Sequence, residues 1–290
     1  MKFTKMHGCG NDYVYVNGFT EHIKDKVKFV QAVSDRHFGV GGDGAIFINP
    51  SDVADFEMEM YNADGSRAEM CGNGIRCVAK YVYDYGLTDK TTISIVSCGK
   101  VKILELTITD GQVESVRVDM GEPELMPANI PVNCIGDRAV GVPIQVQDVT
   151  YHMTCVSMGN PHAVLFLNAG EDNGKLAWEH TKDIELDRIG PSFEHHELFP
   201  NRTNTEFVEI IDRNTVNMRV WERGTGETLA CGTGCCATIV AAVLNGLTER
   251  KATVNVLGGK IQIEWDEKTN HVFMTGPAST VFDGEFPWIE

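Results

Sequence analysis

The sequence predicts a mixed α/β fold of the α+β kind, built by internal duplication as two pseudo-symmetric domains, each a curled mixed β-sheet wrapped round a central helix. Three observations carry this expectation. Cys71-Gly72-Asn73-Gly74 is answered by Cys231-Gly232-Thr233-Gly234, and each opens a run of helical character. The two cysteines stand 160 positions apart, as do Gly99-Lys100 and Gly259-Lys260, which open strand-like segments. One offset shared by separate landmarks marks a duplication. The run after the second motif, Cys235 to Leu244, is apolar almost all round. A helix with no polar face is enclosed on all sides, here by a curved sheet.

In the first half, residues 2–17 alternate as a strand that breaks at Gly8-Cys9-Gly10-Asn11-Asp12 and resumes at Tyr13 to Val16. Glycine lets backbone amides come close to a ligand, and Asn11 adds a donor and an acceptor. By itself, however, the segment reads as a bulge with a polar turn. A helix is expected over 26–36. Gly39-Val40-Gly41-Gly42-Asp43-Gly44 spells the dinucleotide fingerprint, but that motif must follow a strand and open a helix. Here Ala45 to Ile48 reads as a strand, so the segment is a glycine-rich turn. Phe56 to Tyr61 is a strand ending in the turn Asn62-Ala63-Asp64-Gly65-Ser66. The helix opened by the cysteine motif, which begins at Met70, runs to about Tyr85 and stops at Gly86. Ile75, Val78, Ala79 and Val82 repeat at helical spacing and predict one broad buried face. Strands follow over 91–97, 101–107 and 113–119, and 123–143 reads as the connection between halves.

The second half repeats the plan. A strand over 150–157 ends at Met158-Gly159-Asn160-Pro161-His162 and continues over 163–167, so Asn160 stands where Asn11 stood. A polar stretch, helical and looped, runs to Pro200. Residues 205–211 and 214–221 form a hairpin across Asp212-Arg213, and Glu222 to Thr228 lead into Cys231. After the apolar helix come strands at 253–257, 260–265 and 271–275. The segment from Ser279 has no counterpart in the first half and is expected to return to the first domain. The expected domains are therefore 1–127, joined by 279–290, and 128–278, with the active site in the cleft between them.

Bulk properties exclude several classes. A formal charge of −16 without a Lys/Arg cluster argues against a nucleic-acid face. The longest apolar run is far short of the roughly 20 residues that span a bilayer. Met-Lys-Phe-Thr-Lys-Met-His-Gly lacks the apolar core of a signal peptide, so a cytoplasmic protein is expected. Nine cysteines, an odd number, read as free thiols rather than a disulfide framework. There is no Cys-x-x-Cys, and the adjacent His195 and His196 suit a loop, so no metal is expected.

A thiol is a useful base only as thiolate, which is scarce near neutrality at an ordinary pKa of about 8.5. The start of a helix favours the anion through its free amides and dipole, and the same amides accept a carboxylate. Two such helices holding one carboxylate between two thiols suit inversion at an amino-acid α-carbon, with a base on one face and an acid on the other. Pyridoxal phosphate is then unnecessary, although the lysines by themselves do not decide against a Schiff base. Taken singly, each cysteine is more simply a buried small hydrophobe, as expected for Cys77, Cys98, Cys134, Cys155, Cys235 and Cys236. The duplicated context sets Cys71 and Cys231 apart. His162 and Glu222 are the titratable groups nearest the expected site, and tuning of the thiols and a structural ion pair are both open to them.

With Asn11-Asp12, Asn62 to Ser66, Cys71 to Gly74, Gly159 to His162, Glu222-Arg223-Gly224 and Ala230 to Gly234 in hand, the chain closely resembles the diaminopimelate epimerases from Lys2 to Asp283-Gly284. The resemblance implies interconversion of LL- and meso-diaminopimelate, on the route to lysine and peptidoglycan, with no cofactor. It implies that Cys71 and Cys231 are the acid–base pair and that the amides of Gly72, Asn73, Gly232 and Thr233 hold the reacting carboxylate. Asn11, Asn62, Asn160, Asn204 and Arg223 would read the other polar groups, Arg223 by a two-pronged contact to the distal carboxylate. Glu222 would meet an ammonium, and His162 with Glu222 would adjust thiol ionisation. The partner implied is this small molecule, and a homodimer is compatible with the reading. One departure stands out. Where many members carry a glutamine after the aspartate of the glycine-rich turn, this chain has Gly44, which offers no side chain for that substrate contact. Two rivals remain: proline or hydroxyproline racemisation, which explains Arg223 and the asparagines less well, and a non-catalytic thiol redox sensor or binding protein.

Overall fold

The computed structural model describes residues 1–68, 71–167, 178 and 180–288. Met70 and part of the polar stretch before Pro200 lie outside the described residues. The chain divides into two compact units, Met1–Asp119 with Thr275–Glu290, and Met120–Met274.

In the first unit, β1 (Lys2–Gly8) and β2 (Asn11–Asn17) pair antiparallel across a tight turn, in which Cys9 and Gly10 both have positive φ, 52° and 84°. The chain crosses through α1 (Lys26–Ser34) to β3 (Gly44–Asn49), parallel to β2, and returns antiparallel as β4 (Phe56–Asn62). The Asp25 carboxylate caps α1 by accepting the Lys28 N–H at 3.1 Å. A second crossover, α2 (Gly72–Asp84), leads to β5 (Thr92–Ser97), parallel to β4; β6 (Lys100–Thr109) and β7 (Gln112–Gly121) follow antiparallel.

The second unit repeats these pairings. After β8 (Val142–Val146), β9 (Val149–Ser157) and β10 (Pro161–Phe166) pair antiparallel, and α3 (Leu186–Glu194) crosses to the parallel β11 (Asn204–Asp212). The expected hairpin to β12 (Thr215–Glu222) is present. After the short β13 (Gly226–Glu227), α4 (Gly232–Leu244) crosses to β14 (Lys251–Val256), parallel to β12, and β15 (Gly259–Trp265) and β16 (Val272–Pro277) follow.

The last strand, β17 (Ser279–Glu285), pairs antiparallel with β1, and β8 pairs antiparallel with β9 in the same way. The final segment therefore has a counterpart after all, which begins at the very end of what reads as a connection and continues past it. Pro143 hides it, because a proline has no N–H for a ladder and demotes a strand in any reading of pattern.

The strands of each unit carry a helix on each side. α4 is buried over nearly its whole length, as its apolar sequence requires. α2 departs from the one-faced helix expected: every residue from Gly72 to Val82 is buried, including Arg76 and Lys80. Buried cations are tolerated when their N–H groups are satisfied. Lys80 pairs with Asp84 at 2.6 Å and donates to the Val113 carbonyl at 2.8 Å. On the other side, Phe29, Val30 and Val33 of α1 pack with Phe3, Val14, Val16 and Phe47. In the second unit Ile189 and Phe193 of α3 pack likewise with Tyr151, Leu165 and Phe207.

Candidate active site

Cys71 occupies the N-cap of α2 in an extended conformation (φ −130°, ψ 108°). Its Sγ accepts the Gly74 N–H at 3.2 Å, the bond a serine or aspartate oxygen makes at a conventional cap. The thiol in turn donates to Asn11 Oδ1 at 3.1 Å. Asn11 is held from behind, its Nδ2 donating to Asp43 Oδ2 at 2.7 Å, while Arg36 bonds both Asp43 (2.8 Å) and Asp12 (2.9 Å). The β1–β2 turn and the glycine-rich turn thus form one framework beside the sulfur. Gly44 lies in that framework with no room for a side chain, since a Cβ there would stand 1.9 Å from the Tyr61 carbonyl oxygen. Asn62 lies opposite Gly44 in the β3–β4 ladder and donates to Ser66 Oγ at 3.0 Å.

Cys231 caps α4 in nearly the same conformation (φ −112°, ψ 111°), and its Sγ accepts the Gly234 N–H at 3.4 Å. Thr233 Oγ1 lies 3.5 Å from the sulfur. Gly232 and Cys231 itself are buried. Burial pushes this thiol well above its ordinary value, and the negative charges of Glu222 and Glu206 push the same way against the bonds from Thr233 and Gly234.

The residues behind Cys231 form a connected group. His162 and Glu206 are both fully buried, with His162 Nδ1 2.6 Å from Glu206 Oε1 and Nε2 3.1 Å from Asn160 Oδ1. Among the described residues Glu206 Oε2 has no hydrogen-bond partner, and its Oε1 crowds the first turn of α4, 2.7 Å from where a Cβ on Gly234 would stand. Burial raises the Glu222 carboxyl, and Glu206 adds to this; the Thr228 hydroxyl, which donates to Glu222 Oε1, and the nearby His162 oppose it. Glu206 was missed in the sequence. Its signal was an acid in the middle of β11, a strand buried from Asn204 to Glu209.

Asn204 is buried and committed on both sides: Nδ2 donates to the Pro161 carbonyl at 3.0 Å, and Oδ1 accepts the Arg223 N–H at 2.8 Å. Glu194 on α3 accepts the Gly224 N–H at 2.8 Å and Trp221 Nε1 at 2.7 Å, so the loop bearing Arg223 is held from two directions. The Arg223 side chain is exposed, with Nη1 donating to the Asn201 carbonyl at 3.1 Å.

The residues singled out in the sequence thus gather into two groups. Asn11, Asn62, Cys71, Gly72 and Asn73 lie together in the first unit. Asn160, His162, Asn204, Glu222, Arg223, Cys231, Gly232 and Thr233 lie together in the second. Two of the other cysteines depart from the burial expected: Cys98 is exposed, in the turn between β5 and β6 at φ 46°, and Cys134 is half-buried. Among the described residues no group of three His, Cys, Asp or Glu could hold a metal ion, and no helix is long and apolar enough to cross a membrane.

A family model described as diaminopimelate epimerase matches residues 3–126 and 154–281. The diaminopimelate epimerase of Acetivibrio thermocellus is 55% identical over 285 residues, 98% of this chain and 98% of its own length. That of Methanococcus maripaludis is also 55% identical over 285 residues, 98% of this chain and 99% of its own. Among solved structures, a probable proline racemase from Agrobacterium radiobacter K84 with bound carbonate matches with a TM-score of 0.68. It covers 99% of this chain and 92% of its own, at 13% identity, which is a likeness of fold.

Proposed function

We propose that this chain, which belongs to the diaminopimelate epimerase family, interconverts LL- and meso-2,6-diaminopimelate by proton transfer between Cys71 and Cys231, without pyridoxal phosphate. The observation that carries the reading is the repeated cap: in each unit a cysteine sulfur receives the first-turn N–H of a buried helix.

The chemistry follows from that setting. The amides of Gly72 and Asn73, and those of Gly232 and Thr233, are helix-start donors suited to a carboxylate, and they stabilise negative charge as the α-proton leaves. A thiolate removes the proton from one face of the α-carbon while the other thiol delivers one to the opposite face. Cys231, held above the ordinary thiol value by burial and two carboxylates, is suited to deliver a proton, the other sulfur then serving as the base. The reverse reaction exchanges the roles, because each transfer leaves the opposite sulfur charged. Asn11 orients the Cys71 thiol. His162 and Glu206, with Glu222, set the charge felt by Cys231. Arg223 on its braced loop is the two-pronged partner for the distal carboxylate, and Glu222 is the partner for an ammonium. We place the reaction in the cytoplasm, because a reducing compartment keeps both sulfurs as thiols, and on the route to lysine and peptidoglycan precursors.

The test is exchange of the substrate α-hydrogen in deuterated water. Diaminopimelate should gain deuterium at one α-carbon while proline does not. Absence of exchange with diaminopimelate ends the epimerase reading, and exchange with proline instead reassigns the substrate.

A further inference from the structure

We propose that Arg76 is a positioning residue for Cys71, clamping the first turn of α2 so that the cysteine and the neighbouring amides keep one geometry. The inference rests on Cys71 being a reacting thiol, as proposed above.

Among the described residues Arg76 is the largest side chain to be fully buried, at 0% exposure. Its Nη1 donates to the Gly72 carbonyl at 3.1 Å, its Nη2 to Asn73 Oδ1 at 2.9 Å and its Nε to the Pro277 carbonyl at 3.2 Å. Nη2 also lies 3.9 Å from Cys9 Sγ. The first two contacts end on the residues that follow Cys71. The sulfur contact ends in the turn that carries Asn11, the acceptor of the Cys71 thiol. One planar fork therefore spans the two pieces of backbone that flank the reacting sulfur, and a guanidinium holds its acceptors in fixed relative directions as an ammonium cannot.

The surroundings are shaped to admit the fork. A Cβ on Gly8 would stand 3.1 Å from Arg76 Nη2 and 3.0 Å from the Asn73 carbonyl oxygen, and one on Gly276 would stand 3.1 Å from Nε and 3.2 Å from Cζ. A buried guanidinium is also an expensive way to fill volume. Its cost is met only because its N–H groups are answered, and three of those answers lie at Gly72, Asn73 and Pro277.

The duplication supplies an internal control. The residue 160 positions on is Cys236, also at 0% exposure, which has no fork to offer. Asn73 is answered by Thr233, whose hydroxyl approaches the Cys231 sulfur, whereas the Asn73 side-chain oxygen is taken by Arg76. The two helix starts are thus braced differently, and removing the brace should disturb one sulfur and not the other.

The full-length protein and its Arg76→Lys, Arg76→Met and Gly276→Ala variants would be compared in two assays: kcat and KM for diaminopimelate, and iodoacetamide alkylation of Cys71 and Cys231 read separately by peptide mass spectrometry. Arg76→Lys, which keeps the charge and loses the fork, is expected to lower kcat about 10–100-fold with a smaller change in KM, the scale of a small misplacement at a reacting group. The alkylation rate of Cys71 relative to Cys231 should change at least threefold. Gly276→Ala, which displaces the guanidinium without removing it, should move both readouts the same way by less, and decides the matter if the Arg76 variants do not fold. Wild-type kcat in Arg76→Lys, or Cys71 and Cys231 rates that shift together, would overturn the proposal in favour of a purely structural arginine. If the unmodified protein does not turn over diaminopimelate, the proposed function falls, while the ratio of alkylation rates still judges Arg76.

Discussion

Cys71 and Cys231 each cap a helix of 13 residues and each accept the N–H of the residue three positions on, at 3.2 and 3.4 Å. Beneath these matching caps the two units differ in charge. Gly74 is crowded by Ile46 Cδ1, 2.8 Å from a would-be Cβ, and Gly234 by Glu206 Oε1 at 2.7 Å. Ile46 and Glu206 are themselves 160 positions apart. The ladder beside Cys71 runs Tyr13, Gly44, Asn62. In the second unit His162 pairs with Asn204, and Glu222 follows one step past the Thr205–Trp221 pair. At matched ladder positions the first unit therefore carries the uncharged Gly44 and Asn62 where the second carries Asn204 and Glu222, while the charged Asp12, Asp43 and Arg36 stand behind Asn11 and the buried cation Arg76 lies on the first helix. The repeat places two equivalent caps in the chain, and the side chains around them give the two sulfurs unequal surroundings. A two-base reaction uses both properties: equivalence, so that either sulfur can take part, and inequality, so that one begins protonated.

The strongest way to break this comparison is to remove either sulfur. Cys71→Ala and Cys231→Ala should each lower kcat by about 10³-fold or more, and the double variant should be little worse than the poorer single one, because the pair acts as a unit. Steady-state epimerisation measures this. Substantial turnover in either variant would leave no role for equivalent caps.

Glu206→Gln should have the next largest effect, about tenfold or more on kcat. A carboxylate beside a thiol disfavours a second negative charge and so raises the thiol pKa; an amide of the same shape removes that penalty. The Cys231 thiolate should therefore appear at lower pH, so alkylation of Cys231 begins at lower pH than in the unmodified protein. The alkylation profile of Cys71 stays where it was. An unmoved Cys231 profile would mean that Glu206 is held only for packing.

The smallest effect separates the two glycines. In Gly234→Ala the new methyl meets a carboxylate pinned by His162, and overpacking of that kind costs about 1–3 kcal/mol. In Gly74→Ala it meets the flexible end of Ile46, and the gain of about 1 kcal/mol for alanine over glycine in a helix offsets much of the clash. Thermal denaturation should therefore rank Gly234→Ala clearly below Gly74→Ala. Equal losses would show that the two helix starts are crowded to the same degree.

Much of this was decided by the order of residues. A cap, a glycine turn and a helix that excludes water depend on neighbours within a few positions, which is why Cys71, Cys231, the hairpin at Asp212-Arg213 and the buried α4 were legible, and why the common offset exposed the repeat. Other features arise only when distant segments meet. β8 became the partner of β9 despite Pro143, matching β17 on β1. Arg76 and Lys80 could sit inside because Pro277 and Val113, far away in the chain, supply carbonyls to them. Glu206 came to face His162, 44 positions before it, only through the parallel ladder of β10 and β11. The reason is one of range. Backbone geometry follows local sequence, whereas the charge at a buried thiol follows whichever side chains the sheet register brings within a few ångströms, and register is a property of the folded whole.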